Sequence, residues 1–176
     1  MRLLILSLLF MPFSLFAQPG STQPVKTSKG KLKAETRFLK VLNDIASRYM
    51  IDGDMVGGRS AAGYMITLDS SFAIDQNGVL TATWRFKNDT SYYTLHVEFP
   101  VGSIEEVYYD FNMGFSMHEG GKEYISKLNS KEIGETSDAS IIKVATPGDG
   151  KHGPPLHEKL KAALVDVKRY YLKDTL

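Results

Sequence analysis

The chain has 176 residues, with 21 lysines and arginines against 20 aspartates and glutamates, and it contains no cysteine. This balanced charge argues against a dedicated nucleic-acid binder or a protein held on an anionic membrane, because both need a basic surface. The lack of cysteine excludes disulfide bonds and a cysteine-linked lipid anchor, so the protein is not a lipoprotein and its core alone must hold the fold.

The first 17 residues have the pattern of a cleavable secretory signal peptide. Arg2 supplies a positive charge, an apolar run follows from residue 3 to residue 16, and Ala17 places a small residue at the expected cleavage position. A helix that spans a bilayer needs about 20 apolar residues. This run is shorter, and Pro12 interrupts it. We therefore expect cleavage after Ala17 and a periplasmic or extracellular location, with an uncleaved anchor or a buried first helix as the alternative.

A polar segment separates the signal from the first predicted helix. Residues 18–33 are rich in Gly, Ser, Pro and Thr and carry the main cluster of lysines, which predicts a flexible linker. Apolar residues then recur at helical spacing from about Ala34 to Met50. The stripe consists of Phe38, Leu42, Ile45 and Tyr49. Residues 34–176 are expected to form a single domain without a transmembrane segment.

Beyond the helix, apolar and polar residues alternate, which predicts strands with one buried face. The runs lie at 64–68, 72–74, 80–86, 93–99, 107–115, 122–128 and 139–145. Turn sequences at 76–78, 87–90 and 100–103 predict three hairpins, and each hairpin places apolar residues together on one face. The predicted partners include Ile74 with Leu80, Trp84 with Tyr93, and Phe99 with Val107.

A second amphipathic pattern closes the chain. Pro154 and Pro155 lead into a helix, and its apolar stripe follows at the spacing of three to four residues. The stripe consists of Leu156, Leu160, Leu164, Val167 and Tyr171. The sequence therefore predicts an α+β fold: an antiparallel β-meander of about six strands, with an N-terminal and a C-terminal helix packed on its apolar face.

The same register collects polar side chains on the other face of the sheet. It places His96 between Thr81 and Asp110, and Glu98 opposite Tyr108. Arginine suits a carboxylate or phosphate and tyrosine offers a stacking surface, so this face is a candidate ligand site. The candidate ligand-binding residues are Arg85, Tyr92, His96, Glu98, Tyr108 and Asp110. The alternative is an ordinary solvated outer face of an antiparallel sheet.

No recognised pattern of catalytic, metal-binding or cofactor-binding residues occurs in the sequence. The G-x-S-x-G, H-E-x-x-H and Walker motifs are absent. The closest histidines, His152 and His157, are separated by two prolines and do not share a helix face. Residues 52–54 match only a fragment of a calcium loop and are better explained as a turn. We therefore predict no catalytic residue, no metal and no cofactor.

Three functions remain open. The favoured one is an exported soluble domain that binds an unidentified small ligand or protein partner without catalysis. The first alternative is a small exported hydrolase that uses His96 with Asp110 or Glu98 as a base. The second is a structural component of a cell-envelope complex.

Overall fold

The computed structural model describes residues 28–49, 51, 55–56, 59–60, 63–148 and 150–172. The predicted signal peptide, residues 1–17, and most of the predicted linker, residues 18–33, lie outside these ranges. Within them, neither helix is apolar enough over a sufficient length to cross a membrane.

The described residues form two α-helices, one short 3-10 turn and eight strands. In chain order these are α1 (Lys29–Arg48), β1 (Met55–Val56), β2 (Arg59–Ser60), β3 (Met65–Ile74), β4 (Val79–Lys87), β5 (Tyr92–Pro100), the 3-10 turn (Val101–Ser103), β6 (Ile104–Tyr109), β7 (Met113–Ser126), β8 (Ile133–Ala145) and α2 (Gly153–Lys168). Strands β1 and β2 pair as a separate ribbon, and β3 to β8 form one curled antiparallel sheet. The α+β class with a six-stranded antiparallel sheet is confirmed.

Helix α1 begins at Lys29 rather than at about Ala34, so it includes the end of the predicted linker. Ser28 explains the earlier start, because its side-chain oxygen accepts a hydrogen bond from the backbone N–H of Lys31 at 3.1 Å and so caps the helix. The predicted stripe is buried at Phe38 and at the two following stripe positions. The buried residues of α1 are Ala34, Phe38, Val41, Leu42, Ile45 and Ala46.

The hairpin between β3 and β4 has the predicted closing pair, Ile74 opposite Leu80. Gly78 has φ +81°, a conformation that glycine adopts without steric cost. The two short predicted runs at 64–68 and 72–74 are one strand, β3, in which the ladder shifts between Ser70 and Ala73.

The hairpin between β4 and β5 differs from the predicted register by two residues. Trp84 lies opposite Leu95 rather than opposite Tyr93. Asn88 causes the shift, because its side-chain oxygen accepts hydrogen bonds from the backbone N–H groups of Thr90 and Ser91 and so makes 88–91 the loop. A shift of two residues leaves every side chain on its predicted face.

The predicted hairpin at 100–103 is wrong. The chain makes one 3-10 turn there and continues as β6, so that β5 and β6 pair with successive parts of β7. The reversal occurs instead at residues 110–112, where the N–H of Asp110 donates to the carbonyl of Asn112 at 2.9 Å. The predicted strand 107–115 is therefore two strands, the end of β6 and the start of β7.

Strands β7 and β8 are longer than the sequence predicts. The sequence Glu119-Gly120-Gly121 favours a turn, yet it lies inside β7, at a shift in the ladder with β8. Residues 133–138 lie outside the predicted strands, yet they belong to β8 although all six are exposed. Backbone hydrogen bonds to β7 suffice to form a strand there, and such bonds leave no alternating pattern of side chains in the sequence.

The hydrophobic core is a single cluster that draws on both helices and on the sheet. Phe115 of β7 lies near its centre, with its ring centroid 6.2 Å from that of Phe38 in α1 and 5.7 Å from that of Phe99 in β5. In α2 the buried stripe residues are Leu160, Leu164 and Val167. On the opposite face of the sheet, β4 and β5 carry partly exposed side chains that alternate with the buried ones.

Candidate functional site

The six predicted site residues fall into two separate groups. Four of them occupy β4 and the facing strand β5: Arg85, Tyr92, His96 and Glu98. Tyr108 stands near the end of β6, and Asp110 lies in the turn that follows it. Because β6 pairs with β7 and not with β5, His96 does not have Asp110 as a cross-strand neighbour. The predicted position of His96 between Thr81 and Asp110 is therefore wrong.

His96 lies instead between Thr83 of β4 and Tyr124 of β7. These two residues are members of the site that sequence reasoning missed. Thr83 was missed because the predicted β4–β5 register was off by two residues, and Tyr124 because the predicted second partner of β5 was the wrong strand. We call the surface formed by Thr83, Arg85, Tyr92, His96, Glu98 and Tyr124 the outer patch.

A chain of hydrogen bonds runs across the outer patch. The Thr83 hydroxyl lies 2.9 Å from Nδ1 of His96, and Nε2 of His96 lies 3.1 Å from Glu98 Oε1. The Tyr124 hydroxyl donates to Glu98 Oε2 at 3.1 Å. A carboxylate can only accept, so in neutral His96 the proton sits on Nε2 and the Thr83 hydroxyl donates to Nδ1. Both ring nitrogens and both carboxylate oxygens are thereby engaged, which fixes the side-chain orientations.

The charge of Glu98 acts on Tyr124. The hydrogen bond to this carboxylate is the main reason why the pKa of the Tyr124 phenol is raised above its usual value, with smaller contributions from desolvation and from the carboxylate charge. The Tyr124 phenol therefore keeps its proton, and its hydrogen bond to Glu98, up to a higher pH than a free tyrosine does. Its ring also lies 5.8 Å from the His96 ring, at a tilt of 40°.

Arg85 forms the other end of the outer patch. Its Nη2 donates to Asp69 Oδ2 at 2.8 Å, and the guanidinium lies 5.7 Å from the centre of the Tyr92 ring. Its Nε is buried and has no hydrogen-bond partner among the described residues. An unpaired buried donor costs the folded domain free energy.

The second group surrounds the turn between β6 and β7. The Tyr108 phenol is partly buried, and this burial, assisted by the nearby charge of Asp110, raises its pKa to about 12.

The same turn borders a cavity of about 540 Å³, which is lined by Tyr109, Asp110, Phe111 and Gly150. Sequence reasoning placed Phe111 on the buried face of a strand. The signal that it missed is the pair of Asx residues flanking Phe111, which favours a turn.

Two further observations concern metal-ligating side chains and the histidines outside the outer patch. Within the ranges that the structure describes, His, Asp and Glu form no group of three that could hold a metal ion. The exposed His118 pairs with Glu105 at 3.3 Å, and His157 bonds the carbonyl of Val107 at 2.8 Å. These two histidines stand apart from the outer patch.

No protein-family model matches the chain, and comparison with curated proteins and with solved structures found no match either. The fold and site define an α+β domain with a polar, hydrogen-bonded sheet face. Since many functions share such folds, the function is argued below from the residues of the site.

Proposed function

We propose that the chain is an exported, non-enzymatic binding module and that the outer patch contacts its ligand. The observation that supports this is the continuous chain from Thr83 through His96 and Glu98 to Tyr124. Side chains held in one orientation lose little entropy when a ligand binds, so a preordered face binds more tightly than a mobile one.

The chemistry of the outer patch favours a small polar ligand with hydroxyl groups and one carboxylate or phosphate. The side chains of His96 and Glu98 remain 36% and 41% exposed and can exchange hydrogen bonds with a ligand. Arg85 has a planar guanidinium on a side chain that is 37% exposed, and it suits an oxyanion. The tyrosine rings of the outer patch add flat contact area at low entropic cost.

Export and helix packing complete the proposal. Residues 1–17 are removed as a signal peptide, and the domain acts as a soluble protein beyond the cytoplasmic membrane, in the periplasm or outside the cell. Both helices cover the apolar face of the sheet, so that the outer patch is on its solvent side. Buried residues of both helices and of the sheet belong to one core cluster, which supports this arrangement.

Native mass spectrometry of the chain purified from the envelope fraction of its own host tests the proposal. We expect the mass of residues 18–176 together with a small-molecule adduct. His96→Ala and Arg85→Ala should each lose the adduct, whereas Lys161→Ala, an exposed position on α2, should keep it. An adduct-free monomer would reduce the outer patch to a solvated sheet face, and a stable multimer or heteromer would favour a structural role in an envelope complex.

The hydrolase alternative has one observation in its favour. Thr83, His96 and Glu98 stand in the order hydroxyl, imidazole, carboxylate, as in a nucleophile–base–orienting-acid chain. Thr83→Val removes the hydroxyl and keeps the shape of the side chain. Hydrolysis of p-nitrophenyl acetate that is lost in both Thr83→Val and His96→Ala would favour this alternative over the binding module.

A further inference from the structure

The turn between β6 and β7 carries a cavity that is separate from the outer patch. Its volume is about 540 Å³, and its lining residues are Tyr109, Asp110, Phe111 and Gly150. Two of these are aromatic, and Asp110 is the one that carries a charge. Among the described residues, the lining of this solvent-open cavity is thus apolar and aromatic, with one negative charge, that of Asp110.

Phe111 is the unusual residue of this turn. Its φ is +79°, in the left-handed region that side chains rarely adopt, yet its side chain is 69% exposed. A non-glycine residue in that conformation costs about 1–2 kcal/mol. Burial of the ring in the core does not offset this cost, because the ring faces solvent. Strained residues of this kind concentrate at binding sites.

Hydrogen bonds hold the turn in this shape from both sides. The N–H of Asn112 donates to Asp110 Oδ1 at 3.2 Å, and the Thr146 hydroxyl donates to Asn112 Oδ1 at 3.2 Å. The N–H of Gly148 approaches the carbonyl of Phe111 at 3.4 Å. The loop before α2 therefore braces the backbone of the turn, and the Phe111 ring projects from this braced backbone toward solvent.

Tyr109, which also lines the cavity, is packed against the start of α2. Its ring lies against Gly153 at the start of α2, where a Cβ atom would overlap it. It also lies 6.4 Å from the ring of His157, which in turn bonds the carbonyl of Val107. Two aromatic rings and the carboxylate of Asp110 thus line one cavity, and the Tyr109 ring is held in place by its packing against α2.

We propose that this cavity binds a small organic cation, a quaternary or alkylated ammonium group. The faces of aromatic rings attract cations, and a neighbouring carboxylate adds charge complementarity. The apolar methyl groups of such a cation fit an aromatic lining better than a strongly hydrated metal ion does. The site involves no residue of the outer patch, so each site can fail its test without affecting the other.

Ligand-observed saturation-transfer NMR tests the proposal on the chain purified from its own host. The probes are choline and its neutral isostere 3,3-dimethylbutan-1-ol, which have the same shape and differ in charge. We expect choline to bind at least about fivefold more tightly than the alcohol, a preference of the size that cation–π contacts give.

Three variants locate the binding. Asp110→Asn and Phe111→Leu should each remove the preference for choline, the second because leucine keeps apolar bulk but lacks a ring face. Glu106→Gln is the matched control, since it removes the same charge from an exposed position on β6 outside the cavity lining. Thermal melting of each variant verifies that it is folded. Equal binding of the two probes, or an unchanged preference in Asp110→Asn or Phe111→Leu, would overturn the proposal.

Discussion

Gly153 begins α2 at a point where the ring of Tyr109 lies directly against its Cα. The close approach explains why glycine stands at the first position of this helix. It also connects the first turn of α2 with the aromatic wall of the cavity.

We expect Gly153→Ala to lower the free energy of unfolding by about 1–3 kcal/mol, the usual cost of forcing a methyl group into packed structure. Urea unfolding followed by circular dichroism measures the change. Gly150→Ala is the control, because nothing lies within 4 Å of the position of its added methyl group. It should alter the free energy by no more than about 0.5 kcal/mol. Equal effects of the two substitutions would contradict the close approach of Tyr109.

Helix α1 and strand β3 meet at an irregularity in the sheet. The ladder between β3 and β4 shifts near Phe72, and the side chain of Asn43 replaces the missing strand partner. The N–H of Phe72 donates to Asn43 Oδ1 at 2.8 Å, and Asn43 Nδ2 donates to the carbonyl of Phe72 at 3.0 Å. One asparagine thus satisfies both backbone groups and allows the Phe72 ring to lie 5.4 Å from Trp84 in the core.

At this scale we expect Asn43→Ala to destabilise the domain by about 1–3 kcal/mol, because it leaves both backbone groups of Phe72 unpaired. Asn43→Asp keeps the accepting oxygen and should cost less. The exposed Ser47→Ala, on the same helix, serves as the control and should stay near the wild-type value. Denaturant midpoints at constant slope measure the series. A wild-type midpoint for Asn43→Ala would mean that α1 does not close this gap in the sheet.

Two partly buried phenols make the stability of the whole domain depend on pH in the alkaline range. Burial raises the pKa of Tyr108 to about 12 from an ordinary value of 10.0. Burial and the hydrogen bond to Glu35 also raise the pKa of Tyr171. In both cases the folded state holds the proton more tightly than the unfolded chain. Their contribution is therefore complete below pH 10 and is lost as the pH rises toward the folded-state pKa.

We expect the free energy of unfolding to fall between pH 10 and about 12, and to fall less steeply in Tyr108→Phe than in the wild type. Urea unfolding at a series of pH values gives the slope, and tyrosinate absorbance reports the titration itself. Asp110→Asn should bring the Tyr108 titration to lower pH, because the carboxylate contributes to the shift. Identical slopes in wild type and Tyr108→Phe would be evidence against a buried phenol.

Much of this fold could be predicted from the spacing of apolar residues along the chain. This spacing predicted the stripe through Phe38 in α1, the pairing of Ile74 with Leu80 and the three buried stripe residues of α2. Alternation also put Arg85 and His96 on one face, and a register error of two residues could not alter that.

Which strands are neighbours in the sheet could not be predicted from such local patterns. Pro100 and Gly102 are typical of a chain reversal. The chain instead makes one 3-10 turn there, because the backbone of β6 pairs with β7. The reversal at Phe111 breaks an apolar alternation that locally reads as one strand. As a result, Tyr124 of β7 lies beside His96, whereas Asp110 lines a separate cavity and Tyr108 lies near the end of β6.

The sequence by itself determined the class of fold, the helical stripes and the face on which the residues of β4 and β5 lie. It also excluded disulfide bonds, since it contains no cysteine. Only the tertiary structure decided which strands are neighbours, where the chain reverses after β6 and which polar side chains share a site. The reason is physical: facing depends on residues one or two positions apart, whereas strand pairing depends on backbone hydrogen bonds between distant segments, and these are insensitive to side-chain identity.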